Sequence, residues 1–203
     1  SLLSLALYKK PLLAQKVGFG LASVISLYAA VFFFSNFDET LIWKLPGNFI
    51  SLPQFRLDSV GMFFSFLVSF IAFAVSLFSF DYAKFYEKKA NLAVFASLFN
   101  AFILSMLLVI ASDNVFSFML LWEIMTLISA LLILINDGEG ASKNVMIYLG
   151  IAQIGASCLM VALIIMASIA GTFEFSKFDH LEMGMGMSIT LFSLLLIGLG
   201  SKA

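Results

Sequence analysis

Glu123 lies eight residues into a run from Val115 to Ile135 that is otherwise free of charge, directly after Trp122. An ionised acid at the centre of a membrane helix costs roughly 2.5 to 3.5 kcal/mol on insertion scales, so such a group faces a protein interior and has a partner. Lys202 is the second charge inside an apolar segment, and it admits two readings. Near a helix end it snorkels to the closer membrane surface as an anchor. Held at depth, it pairs with an acid. With helix starts at Val115 and Met187, Glu123 falls roughly 12 Å and Lys202 roughly 22 Å below the face from which both helices begin. Starts at Ser112 and Ile189 instead bring both to roughly 17 to 20 Å, where they can meet. The chemistry open to such a pair is proton carriage. Burial disfavours each charged form and the partner's charge restores it, so a change in their separation changes the proton affinity of both.

Other polar groups carry less. Lys143 opens a later apolar segment beside Asp137 and Glu139, the position of an interfacial anchor. Gln153 and Ser157 lie four residues apart, on one helical face, and either bond a neighbouring helix or line a pathway. His180 sits between Asp179 and Glu182 in a loop, as a solvated residue does, and Cys158 is a small core residue. One His and one Cys exclude a zinc site or a cysteine-ligated iron–sulfur cluster built from this chain alone. No cofactor is expected, and any redox chemistry belongs to other subunits. A net charge of −1 without a concentrated basic face excludes nucleic acid as a partner.

The elements that must position Glu123 and Lys202 are membrane helices. The chain is 62% hydrophobic and 11% charged, with 24 Phe and 3 Pro, and its mean hydropathy is +1.08. Soluble domains are nearer half apolar. Residues 17–37, 59–80, 90–112, 144–173 and 183–201 carry no charge, and 114–136 carries only Glu123. About 20 residues cross a bilayer core. The reading is an all-α, polytopic transmembrane helix bundle, with the tail of one span in the first ten residues and six further spans after it. The whole of 1–203 forms one membrane domain. The lack of an initiating Met and the final Gly200-Ser201-Lys202-Ala203, inside an apolar segment, suggest part of a longer protein.

Lysine and arginine set the orientation, because short cytoplasmic loops are enriched in them. Lys9, Lys10, Lys16, Lys84, Lys88, Lys89 and Lys143 fall on one side, Lys44, Arg56 and Lys177 on the other. The first set is cytoplasmic. Residues 36–58 then form an external loop, whose prolines and alternation through Phe55, Arg56, Leu57 and Asp58 predict a short hairpin or extended lid. Ser112-Asp113-Asn114 predicts a tight turn that caps the helix after it and makes an antiparallel helix pair. Gly150, Gly155, Ala156 and Ser157 predict close helix approach. Phe32, Phe33 and Phe34 are expected to face lipid.

Four segments carry a family resemblance. Ser112-Asp113-Asn114 followed by FSFMLLWEIMTLISALLI, the stretches FRLDSVGMFF and IYLGIAQIGAS, and the closing Gly198-Leu199-Gly200-Ser201-Lys202-Ala203 resemble the antiporter-like membrane subunits shared by respiratory complex I, membrane-bound hydrogenases and Mrp-type cation/proton antiporters. Trp122-Glu123 is the specific part. The resemblance implies a parent of about fourteen helices, with Glu123 as the family's fifth-helix glutamate and Lys202 as its seventh-helix lysine, an ion pair that governs proton movement. It implies a multi-pass protein of the bacterial cell (inner) membrane, other membrane and peripheral subunits as partners, and protons as cargo in the lipid bilayer. The WEIM context leans toward the hydrogenase-4 component B or formate hydrogenlyase branch over the quinone-reductase subunits. The competing functions are an Mrp-type cation/proton antiporter subunit and a structural membrane subunit without transport.

Overall fold

The computed structural model describes residues 11–44, 54–82, 92–136, 140–178 and 182–202. Within them the helices are α1 (Pro11–Ser35), α2 (Ser59–Tyr82), α3 (Leu92–Ala111), α4 (Val115–Asn136), α5 (Ala141–Ala170) and α6 (Met185–Gly200). Strands β1 (Leu41–Lys44) and β2 (Gln54–Leu57) lie between α1 and α2. The expected partial span at residues 1–10 and His180 lie outside the described residues, as do Lys84, Lys88 and Lys89. Helices consecutive in the chain pack on one another, with α1 against both α2 and α3. Only helices satisfy their own backbone in lipid, and these sequences are too apolar to fold against water.

Burial follows the logic of a membrane interior. Small side chains are inside, among them Ala93, Ala96, Ala152, Ala156, Ser65, Ser69 and Ser76, while Phe34, Phe78 and Phe192 stand exposed. With lipid outside, helices associate by close packing of small residues, and bulky ones are left to the surrounding hydrocarbon. The aromatic run near the end of α1 divides accordingly. Phe34 is exposed, whereas Phe33 is partly buried and packs on the cluster of Leu57, Met62 and Ala111, so part of its surface meets protein instead of lipid.

Five helices are long and apolar enough to cross a membrane, α1 to α5. The sixth apolar stretch, 183–201, forms a shorter apolar helix of 16 residues. Gly184 is extended at its start and Ser201-Lys202 turns at its end. The preceding helix is longer than its uncharged stretch at one end and shorter at the other. α5 begins at Ala141, taking in an exposed Lys143, and stops where Gly171 adopts φ 66°, a left-handed cap that favours glycine.

The expected hairpin forms. β1 and β2 pair antiparallel, Leu41 opposite Leu57 and Trp43 opposite Phe55, and Phe55 bridges to Ser112 in the turn between α3 and α4. That turn is capped as expected: the Phe116 amide donates to Asn114 Oδ1 at 2.9 Å. The segment after α5 is threaded over the same turn. Val115 N–H donates to the Phe173 carbonyl and Phe175 N–H to the Asp113 carbonyl, each at 2.9 Å. Asp113, 4% exposed, accepts from the Ser176 amide at 2.8 Å and the Ser176 hydroxyl at 2.7 Å. This carboxylate ties the start of the α5–α6 connection to the head of α4. Asp113→Ala leaves two donors without an acceptor and is expected to destabilise the fold by about 3 kcal/mol. A lowered unfolding temperature in detergent, with Asp113→Asn falling between, is the check; an unchanged value would mean that the connection is held elsewhere.

Candidate functional site

The position of Lys202 is set by how α5 and α6 cross. Gly198 is buried in the contact, and a Cβ there would fall 2.8 Å from Leu159 Cβ and 3.0 Å from the Leu159 amide nitrogen. On the facing helix, a Cβ at Gly155 would overlap the Ser201 side chain and come 3.1 Å from the Gly198 carbonyl. Two glycines thus let the helix backbones touch. Gly155 and Ala156 perform the close approach expected of them, while Gly150 faces open space and Ser157 is exposed. Replacing Gly155 by Ala, whose methyl would overlap the backbone-fixed Ser201 Cβ, forces α5 and α6 apart and is expected to cost about 1 to 3 kcal/mol, read as a drop in unfolding temperature. An unchanged unfolding temperature would mean that the two helices do not meet through Gly155.

The last turn of α6 then delivers Lys202 to α4. Its backbone amide donates to the Leu199 carbonyl at 3.2 Å, and its side chain, half-buried, reaches across to α4. The amine donates to Thr126 Oγ1 and stands 4.8 Å from the centroid of the Trp122 ring. Thr126 is 4% exposed, and its hydroxyl donates to the Trp122 carbonyl at 2.8 Å. With that proton committed, the oxygen can only accept, which suits an amine. The ring face supplies a cation–π contact.

Glu123 lies between these two residues in sequence but points around the helix from them. Among the described residues the direct contacts of the Lys202 amine are with Thr126 and Trp122. The glutamate lines a cleft of about 520 Å³ between α4 and α5, with Gln153, Ser157 and Met119 among its neighbours. Gln153 and Ser157 therefore share one face, with the Ser157 hydroxyl donating to the Gln153 carbonyl at 2.8 Å. A second polar link joins α4 to α5 further along, Ser129 Oγ to Tyr148 Oη at 2.5 Å. Cys158 is partly buried, and among the described residues no three His, Cys, Asp or Glu side chains converge as a metal site would need.

The two residues singled out for chemistry thus stand on neighbouring elements, Lys202 against Trp122 and Thr126 and Glu123 in a separate cleft. Thr126 was not a candidate by residue type. Its signal is spacing: it is polar in an apolar helix, four residues after Trp122, and so shares the face of that ring.

Residues 112–203 match the family model described as "NADH:quinone oxidoreductase/Mrp antiporter, TM", a segment that begins at the capped turn and ends past Lys202. The chain is 32% identical over 158 residues to hydrogenase-4 component B of Escherichia coli (strain K12), which covers 78% of this chain and 23% of that protein. It is 26% identical over 217 residues to mnhA2 of Staphylococcus aureus (strain MSSA476), a candidate antiporter subunit, over 98% of this chain and 26% of that protein. The chain therefore spans about a quarter of the length of these relatives. Its fold superposes on a chain of the membrane-bound sulfane sulfur reductase, an archaeal respiratory membrane complex, with a TM-score of 0.69 at 19% identity, over 93% of this chain and 38% of that one.

Proposed function

Because the chain belongs to the antiporter-like membrane subunits of the NADH:quinone oxidoreductase and Mrp antiporter family, a multi-pass membrane protein, we propose that it translocates protons within a redox-driven complex of the hydrogenase-4 or formate hydrogenlyase type. The protons move through Glu123 and Lys202. One observation carries the reading: an amine on α6 reaches inward to α4 and seats against Trp122 and Thr126, with a carboxylate one residue away along the same helix. An anchor lysine would turn to the nearer surface instead. Buried ionisable groups on facing helices are the parts of a proton relay, since each changes the other's hold on a proton. In this reading partner subunits provide the driving reaction. The bacterial cell membrane is the compartment this implies, with residues 36–58 on its outer side.

The match to the Staphylococcus aureus protein over 98% of the chain favours a second reading, a cation/proton antiporter subunit working without redox partners. Proton flux driven by electron transfer, measured in vesicles containing the native complex, separates the two, because the antiporter instead exchanges protons for a cation gradient. Glu123→Gln is expected to lower the driven flux about tenfold or more. Undiminished flux in an assembled Glu123→Gln complex would leave the charges a structural role alone.

A further inference from the structure

Three connections meet at the bundle end where α2 and α4 begin: the β1–β2 hairpin, the α3–α4 turn and the segment after α5. Between them lies a cleft of about 410 Å³ whose polar wall is Arg56, Asp58, Ser112, Asp113 and Ser176. Its charges are unevenly committed. Asp113 accepts through both oxygens from Ser176. Asp58 accepts through Oδ1 from the Gly61 amide at 2.8 Å, where it caps α2, and its other oxygen has no partner among the described residues. Arg56 is half-buried, and among the described residues its guanidinium makes no ion pair, although two carboxylates share the cleft. Lys177, on the same connection as Ser176, is already paired with Glu174 at 2.7 Å.

An arginine left without a counter-ion draws an anion, and its planar fork suits phosphate. The two carboxylates in the same wall repel a plain anion, while Arg56 repels a plain cation. A molecule carrying both signs on separate atoms satisfies every charge at once. Depth selects its class. Arg56 and Asp58 lie just ahead of α2 at Ser59, and Asp113 just ahead of α4 at Val115, so the cleft sits where these helices leave the hydrocarbon, in the polar layer of about 5 to 7 Å beyond it. Trp43, exposed on β1, is the type of side chain that belongs at that level. We propose that this cleft binds the headgroup of a phosphatidylethanolamine lipid of the surrounding bilayer, with the phosphate on Arg56, the primary ammonium on Asp58, and the charge of Asp113 adding to the attraction for the ammonium. A choline headgroup has no N–H to donate to Asp58, and a glycerol headgroup has no cation, so neither uses both walls of the cleft.

The test uses the native complex, delipidated in detergent and titrated with dioleoyl phosphatidylethanolamine, phosphatidylcholine or phosphatidylglycerol, with the unfolding temperature as the reading. Half-maximal stabilisation is expected at about a tenfold lower concentration of the ethanolamine lipid than of the other two. Arg56→Gln is expected to raise that concentration about tenfold. Asp58→Asn, whose side-chain oxygen still caps α2, is expected to abolish the preference for ethanolamine over glycerol while the phosphate contact remains. Equal stabilisation of the parent by all three lipids overturns the proposal. A preference for ethanolamine that survives in both variants puts the recognition at another surface and also overturns it. Water-soluble glycerophosphoethanolamine acting at the same concentration as the lipid overturns the bilayer as the source of the headgroup. Should Arg56→Gln fail to assemble, Asp58→Asn decides alone: loss of the ethanolamine preference supports the site, and an unchanged preference overturns it.

Discussion

Lys202→Met is expected to lower redox-driven proton translocation about a hundredfold, and Lys202→Arg is expected to rescue less than about a tenth of it. The second half of the expectation is the discriminating one. An arginine keeps the positive charge, donates to Thr126 Oγ1 in place of the amine and stacks on the Trp122 ring at least as well as lysine. Everything static about the contact is preserved. What arginine cannot do is release its proton, because guanidinium stays charged under all protein conditions, whereas a buried lysine amine can cycle. A structural role for Lys202 therefore predicts that arginine substitutes well and methionine poorly, with assembly following the same order. A carrier role predicts that both assemble and neither translocates. Flux in vesicles, normalised to assembled complex, distinguishes the two, and near-parental flux in Lys202→Arg would remove Lys202 from the proton path.

The helices were legible because charge is so scarce. In a chain with 11% charged residues, each Lys or Asp marks a boundary, and the stretches between them agree closely with α2, α3 and α4. The disagreements fall where charge is a poor guide to hydrogen bonding. α5 begins ahead of Lys143 because an interfacial lysine is compatible with a helix, and it ends before residue 173 because Gly171 adopts a left-handed cap while Phe173 and Glu174 pair with the α3–α4 turn. The position of Phe33 was hidden for a related reason. Lipid-facing and protein-facing phenylalanines are chemically alike, and only the docking of the hairpin residues Leu41, Phe55 and Leu57 onto α1 distinguishes them. At the site, Glu123 and Lys202 stood out as charges in apolar segments, but their depths could be reconciled only by moving the helix starts. The geometry resolves the difficulty differently: Lys202 is directed at Thr126, one turn deeper on α4 than Trp122, and Glu123 opens into a separate cleft. Composition carries no trace of that division, because it depends on rotation about the α4 axis.

Gly198→Ala is expected to disrupt the site without touching a polar group. The added methyl would lie 2.8 Å from Leu159 Cβ and 3.0 to 3.1 Å from the Leu159 backbone nitrogen and Cα. Side chains can turn away, but helix backbone cannot, so α5 and α6 must separate. Overpacking of this kind costs about 1 to 3 kcal/mol, and a helix of 16 residues that meets its neighbour α5 through a glycine has little other contact with which to absorb it. The functional consequence should exceed the loss of stability. Lys202 is four residues further along the chain, in the turn that closes α6, and its reach to Thr126 depends on the crossing at Gly198 and Gly155. The expected outcome is a complex that still assembles, with a lowered unfolding temperature and proton flux reduced about tenfold or more. Gly200→Ala is the matched control, since a Cβ there meets nothing within 4 Å and the same gain in helix propensity applies. If the two variants translocated protons equally well, close packing of α5 on α6 would not be what positions the lysine.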